Sequence, residues 1–126
     1  MPAMANPVVV KWLSKPQDHD YPAAESYLSL LYDPKDAHAH VSALKRAPVT
    51  YYKAKDIFRA SGLALLDSNN HHVTADAEKI RRGESLSPLL LWRDEAHRRL
   101  VIADGYHRLC AVYAFDEDAI IPCKIK

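Results

Sequence analysis

The sequence predicts an α/β (α+β) fold, a small mixed sheet with helices behind an N-terminal helical extension, and three observations carry that expectation. Two runs, Leu89-Leu-Leu-Trp92 and Leu100-Val-Ile-Ala103, are short and apolar enough to be buried strands. Helical spacing surrounds them: Val73, Ala77 and Ile80 recur over 73–82, and Tyr106, Leu109, Cys110 and Tyr113 stand at i, i+3, i+4 and i+7. Between the second run and the last helix lies Asp104-Gly105. That pair also suits a hairpin turn, but the helical period right after it favours strand, tight glycine turn, helix.

The remaining elements follow in chain order. Around the prolines at 2, 7, 16 and 22, the run Val8-Val-Val-Lys-Trp-Leu13 reads as an arm that docks through Trp12 and Leu13. Ala23 to Tyr32 is expected to be helical, with Pro22 in its first turn and Pro34 ending it. A second helix is expected from Asp36, as its cap, to Arg46, closed by Pro48. Val49 to Lys55 concentrates β-branched and aromatic residues as a strand does. A helical turn from Asp56 ends at Gly62. Leu63 to Leu66 gives no clear period, Asp67-Ser-Asn-Asn is turn chemistry, and Gly83 follows the helix over 73–82. Arg93 to Arg99 supplies a loop between the two apolar strands. Ile120 to Ile125 closes the chain as a strand in which Pro122 prefers an edge or a strand start.

A chain of 126 residues supports one compact domain, with 1–48 as the helical extension and 49–126 as the core. Its 17 basic and 16 acidic side chains leave a net charge of +1, which gives no whole-molecule basic field, so nucleic acid is not the expected partner. No spanning segment or signal peptide is indicated, and the expected location is cytoplasmic. Cys110 and Cys123 fall in a helix and a strand, away from any Cys-x-x-Cys pair. Trp12 and Tyr27 are compatible with internal packing or with a homodimer.

The informative segment is Asp104-Gly-Tyr-His-Arg108. A glycine between a strand and a helix start lets a ligand approach the backbone, and the first N–H groups of the helix have no internal partner. Gly105, Tyr106, His107 and Arg108 thus offer free amides, an imidazole and a bidentate guanidinium to a phosphate. The structural alternative is that Asp104 caps the helix and Arg108 pairs with Asp104 or Glu117.

The order Lys79-Ile80…Gly83, Leu86-Ser-Pro-Leu-Leu-Leu-Trp92, Leu100-Val-Ile-Ala-Asp-Gly-Tyr-His-Arg-Leu-Cys-Ala111, Ile121-Pro-Cys resembles the ParB/sulfiredoxin-like superfamily over about residues 49–125. The resemblance implies a strand–turn–helix that receives nucleotide phosphates. Sulfiredoxins look similar at Gly105, His107 and Arg108 but carry their catalytic cysteine where Tyr106 stands, and a phenol does not replace a thiolate. Partition proteins continue into a DNA reader and a dimerisation domain that this chain, stopping at Lys126, is not expected to have. The family's free-serine kinases look closest, reading Asp-Gly-His-His-Arg at this turn. They place an acidic residue near the start of the preceding helix, where this chain has His71-His-Val-Thr74.

If the resemblance holds, the start of helix 73–82 faces the turn and adds His72, Thr74 and Lys79 as candidates, each with a structural alternative in capping or solvation. Lys53 and Lys55, on one face of a strand, would flank a phosphate or keep an edge soluble. For a phosphotransferase, Asp104, His107 and Asp56 are the candidate catalytic groups. The seven histidines lack metal-ligand spacing, and no carboxylate cluster of a nuclease stands out. The expected function is binding of a nucleotide such as ATP, with Mg²⁺ if a polyphosphate is bound, or of another phosphorylated small molecule, with phosphotransfer as its catalytic extension. The alternative is a non-catalytic regulatory or protein-interaction module.

Overall fold

A computed structural model describes residues 9–126; Val8, at the head of the expected docking arm, lies outside them. The elements in order are β1 (Lys11–Trp12), α1 (Asp20–Leu28), α2 (Pro34–Arg46), β2 (Val49–Lys53), α3 (Ala54–Ser61), α4 (His71–Arg81), β3 (Ser85–Leu86), β4 (Leu89–Asp94), β5 (Arg99–Asp104), α5 (Tyr106–Phe115) and β6 (Ile120–Ile125). The α/β class expected from the sequence is the class observed.

Four strands form a mixed sheet in the order β2-β6-β4-β5. β2 runs antiparallel to β6, β6 parallel to β4, and β4 antiparallel to β5. Alternating side chains send the sheet's apolar residues to two sides. Leu89, Leu91, Ile102, Ile121 and Cys123 pack with Ile57 of α3, Ile80 of α4 and Leu109 and Val112 of α5. Leu90, Val101 and Ala103 pack with Ala24 and Leu28 of α1 and Val41 and Leu44 of α2. The sheet is therefore sandwiched, and the N-terminal helices form one of its two covers.

The arm docks as expected: β1 pairs in parallel with β3, Leu13 N–H donates to the Leu86 carbonyl at 2.8 Å, and Trp12 packs against the larger core. Tyr27 remains partly exposed.

Several boundaries move, each for a local reason. α1 begins at Asp20 and stops at Leu28 rather than Tyr32. Pro34 opens α2 instead of merely ending the helix before it, because a proline at the first helical position loses no hydrogen bond. Its cap is Asp33, which accepts from Lys35 N–H at 2.8 Å, and not Asp36. β2 ends at Lys53, and α3 starts at Ala54, whose amide donates to the Ala119 carbonyl. Lys53 and Lys55 therefore do not share a strand face: Lys53 is the residue before the helix and Lys55 lies inside it. The loop expected over 93–99 shrinks to a 3₁₀ turn at Glu95–His97 and Arg98 in the left-handed region, because β4 and β5 extend toward each other.

β6 is an inner strand, yet Pro122 is accommodated. It faces Tyr51 of β2, while the ladder to β4 starts one residue later at Cys123, so the proline has a strand neighbour on one side only. Among the described residues no helix is long and apolar enough to cross a membrane.

Candidate functional site

β5 ends in a bulge beside the turn. Leu90 pairs with Asp104 and Leu91 with Ile102, which leaves Ala103 as the extra residue and re-aims Asp104. Gly105 then takes φ +111°, and a Cβ there would lie 2.7 Å from Leu89 Cγ and 2.9 Å from Arg108 Nη2. Only glycine fits this approach of backbone to core. The first intrahelical bond of α5 runs from Leu109 N–H to the Gly105 carbonyl at 2.9 Å, so the amides of Tyr106, His107 and Arg108 have no acceptor within the helix. No side chain among the described residues caps it.

Opposite stands α4. Asn70 caps it, accepting from His72 N–H at 2.9 Å and Val73 N–H at 3.2 Å, and this fixes the helix start over the turn. Between the two helices lies a cleft of about 230 Å³, bounded on one side by His72, Asp76 and Lys79 and on the other by Asp104 to Arg108. The rings of His72 and His107 are 4.9 Å apart, and those of His71 and His72 4.2 Å.

Arg108 is largely buried. Its Nη2 donates to Asp104 Oδ2 at 3.2 Å and to the Pro88 carbonyl at 3.5 Å, while its buried Nε has no partner among the described residues. Of the structural alternatives, the Asp104 pair is formed and the Glu117 pair is not: Glu117 accepts from Tyr113. Asp104 does not cap α5, since Gly105 occupies that position.

Burial sets the titration of the cleft. It raises the Asp104 carboxyl above the usual range, a shift opposed by Arg108 and reinforced by Asp20. Burial also raises Asp76, against the pull of Lys79, Arg108, His107 and His72. His107 is lowered, first by burial and then by His72, with Asp76 opposing. The cleft thus favours neutral carboxyls and a neutral imidazole more than open water does, and an entering dianion would reverse the preference at His107.

The structure brings Asp104, Gly105, Tyr106, His107, Arg108, His72 and Lys79 together and leaves the other candidates elsewhere. The Tyr106 hydroxyl donates to the Ala64 carbonyl, so what this residue offers the cleft is its amide and ring edge. The Thr74 hydroxyl is turned away, donating to the carbonyls of Ser68 at 2.8 Å and Asn70 at 3.2 Å. Lys55 pairs with Asp118 at 2.6 Å. Asp56 pairs with Arg59 at 3.1 Å and lines a separate, larger cleft of about 400 Å³ with Ile57, Leu100 and Ile125. Neither Lys53, at the end of β2, nor Lys55, inside α3, lines the cleft at the turn.

Three residues that the sequence did not single out belong to the site. Asp76 sits one turn into α4, on the face that His72 and Lys79 share, a position readable from the i, i+3, i+4 rule once the helix start is fixed. Asp20, which adds to the upward shift of Asp104, is held by Ser87, whose Oγ donates to Asp20 Oδ2, and by Gln17 N–H, which donates to the same oxygen at 2.9 Å. No local signal marks Asp20 and Ser87, because they are 67 residues apart.

Both cysteines are buried and free. Burial raises Cys110, and it pushes Cys123 up to about 11, so both behave as core residues. His38 Nδ1 donates to Glu25 Oε1 at 3.0 Å, and His40 stacks on Trp92 at 3.7 Å. Among the described residues no group of three or more His, Cys, Asp or Glu side chains is arranged to hold a metal ion.

No protein-family model matches the chain, and neither the curated proteins nor the solved structures hold a match to it.

Proposed function

We propose that the cleft between α4 and α5 binds a phosphorylated small ligand, a nucleotide such as ATP in the first instance, in the manner that the resemblance to the ParB/sulfiredoxin-like superfamily implies. One observation carries the reading: the uncapped N-terminus of α5, reached through Gly105, opens into the same cleft as Arg108, His107, His72 and Lys79. Backbone amides at the positive end of a helix and a guanidinium are complementary to phosphate oxygens. The two imidazoles add donors, and Lys79 adds a charge at the rim. Mg²⁺, where the ligand is a polyphosphate, would be held mainly by the phosphates, with Asp76 as the nearest carboxylate able to join them. Such binding suits a cytoplasmic protein, where nucleotides are abundant.

Phosphotransfer is the catalytic extension of this reading. Asp104 is paired to Arg108 and Asp56 lies on another cleft, which leaves His107 and Asp76 as the groups placed to take a proton from an acceptor. The non-catalytic alternative is favoured by the Arg108–Asp104 pair, in which the guanidinium already has an anion.

The test is thermal stability against ATP, ADP, CTP, GTP and inorganic pyrophosphate, with and without Mg²⁺. A site filled at about 100 times its Kd stabilises by roughly 2.7 kcal/mol, several degrees for a domain of this size. The shift is expected in wild type and lost in Arg108→Ala. An equal shift in both proteins moves the site elsewhere; no shift in either favours the interaction module. ATP turnover with a panel of acceptors then separates catalysis from binding.

A further inference from the structure

The sheet face that carries α3, α4 and α5 is not covered along its whole length. α3 has only eight residues and ends at Ser61, where Gly62 in the left-handed region stops it, while β4 and β5 continue to the pairs Arg93–Leu100 and Asp94–Arg99. Between α3 and this hairpin lies the cleft of about 400 Å³, a size within the roughly 300–1,000 Å³ of small-molecule sites. Strand residues two apart share a face. Leu91 and Arg93 of β4, Leu100 of β5 and Ile125 of β6 therefore point to one side, the side on which Ile57 of α3 packs. Leu91 and Ile57 are buried; Leu100 and Ile125 are only half-buried, and they form an apolar floor that the helices leave open.

Charged side chains stand around this floor: Asp56 from α3, and Arg93, Asp94, Glu95, Arg98 and Arg99 from the hairpin. Two of the three carboxylates are already engaged. Asp56 holds Arg59 at 3.1 Å, and Asp94 holds His97 at 2.9 Å and Arg99 at 3.8 Å. Arg93 and Arg98 have no ion-pair partner among the described residues, and Glu95 is the one rim carboxylate likewise unpaired, so the uncommitted charge of the rim is positive. Arg98 reaches the rim from φ 52°, a conformation that glycine holds more easily. It closes the 3₁₀ turn there, its N–H donating to the Glu95 carbonyl at 3.2 Å.

We propose that this cleft is a second ligand site, for a small amphipathic anion: an apolar body lies on Leu91, Leu100, Ile125 and Ile57, and its carboxylate head meets Arg93 and Arg98. The site is independent of the phosphate cleft, because the two stand at opposite ends of β5, Leu100 lining one and Asp104 the other. Magnitudes divide the labour. An exposed ion pair contributes little in water, so affinity comes from the apolar body leaving water. The guanidiniums select the head, whose planar pair of oxygens matches their fork. A bare anion has nothing to bury on the floor, and pyrophosphate is for that reason not the ligand of this cleft.

The experiment titrates the full chain, ¹³C-labelled at its isoleucine and leucine methyls, with octanoate, hexanoate, acetate and octanol at neutral pH and constant ionic strength. Octanoate is expected to give saturable shifts at Ile57, Leu91, Leu100 and Ile125, with an affinity about tenfold above that of hexanoate for its two further buried methylenes. Acetate should give none that saturate. The double variant Arg93→Gln, Arg98→Gly is expected to lose about fivefold in octanoate affinity and to keep that for octanol, which probes the floor alone. Ala60→Leu, which fills the cleft from α3, should weaken both. Glycine suits the backbone at 98 and Ala60 is exposed, so these variants keep the fold, and methyls outside the cleft report on it. Octanoate shifts that do not saturate at the four floor residues overturn the proposal. So does an octanoate affinity that is unchanged in the double variant or in Ala60→Leu.

Discussion

A methyl group at position 105 would sit within 3 Å of Leu89 Cγ and Arg108 Nη2, on a backbone at φ +111°. Gly105→Ala is accordingly expected to lower stability by about 1–3 kcal/mol, read from urea unfolding, and to displace the arginine it touches. Unchanged stability would mean that the turn tolerates a side chain. His40 gives the second prediction at this scale. Packed between Tyr32 and Trp92, it is held below its ordinary value of 6.5, chiefly by burial and against the pull of Asp36. A histidine with a depressed folded value binds its proton more readily when unfolded. The stability it contributes is therefore full above about pH 6.5 and is lost as the pH falls through the folded value. The urea midpoint should drop with acidification through this window, and the drop should be shallower in His40→Phe; an equal slope in both proteins would remove His40 from the account. The five residues from Asp104 to Arg108 were legible in the sequence because strand, glycine and helix are contiguous there. Asp20 and Ser87 were not, since a buried hydrogen bond between distant segments leaves no local period.

Among the elements, α4 has the closest link between its own stability and the cleft. Asn70 satisfies two of its orphan amides, so Asn70→Ala is expected to cost about 1 kcal/mol. The same change should weaken phosphate-ligand affinity, because it loosens the end that carries His72; an undiminished affinity would show that α4 does not take part. The period-3.6 stripes placed α4 and α5 to within two residues. Capping was harder to read: with Asp33, Pro34 and Asp36 adjacent, the choice of cap depends on which aspartate precedes the helical proline, and Asp33 is the one left outside the helix. β2 ended two residues before the sequence suggested. The β propensity of Val49-Thr-Tyr-Tyr continued to look favourable, but the amides of Ala54 and Lys55 bond to the carbonyls of Ala119 and Glu117 and turn the chain into α3. That tertiary contact carried Lys53 and Lys55 away from the site assigned to them.

At the scale of the whole molecule, the N-terminal helices are a structural layer. Leu28 and Leu44 are fully buried against Leu90 and Val101, so Leu44→Ala is expected to cost about 2–5 kcal/mol, and a fragment 49–126 should not unfold cooperatively by circular dichroism. A cooperatively folded fragment would restore the division into a core over 49–126 and a helical extension over 1–48 that the sequence suggests. The sequence marks residues 1–48 only as a helical extension. That Asp20 adds to the upward shift of Asp104 depends on how α1 packs on β5, and helical periodicity carries no information about that. What was legible is the order of the elements and the turn they build; what was not is the company the turn keeps, with Asp76, Asp20 and Ser87 added and Thr74, Asp56, Lys53 and Lys55 lying elsewhere. The central claim is that a phosphate group sits on the α5 N-terminus. It is tested most directly by titrating ¹⁵N-labelled protein with inorganic pyrophosphate and following the backbone amides. The account predicts the largest saturable shifts at Tyr106, His107 and Arg108, with smaller ones at His72 and Lys79, all lost in Arg108→Ala. Shifts centred instead on the cleft of Ile57, Leu100 and Ile125, or none that saturate, would contradict it.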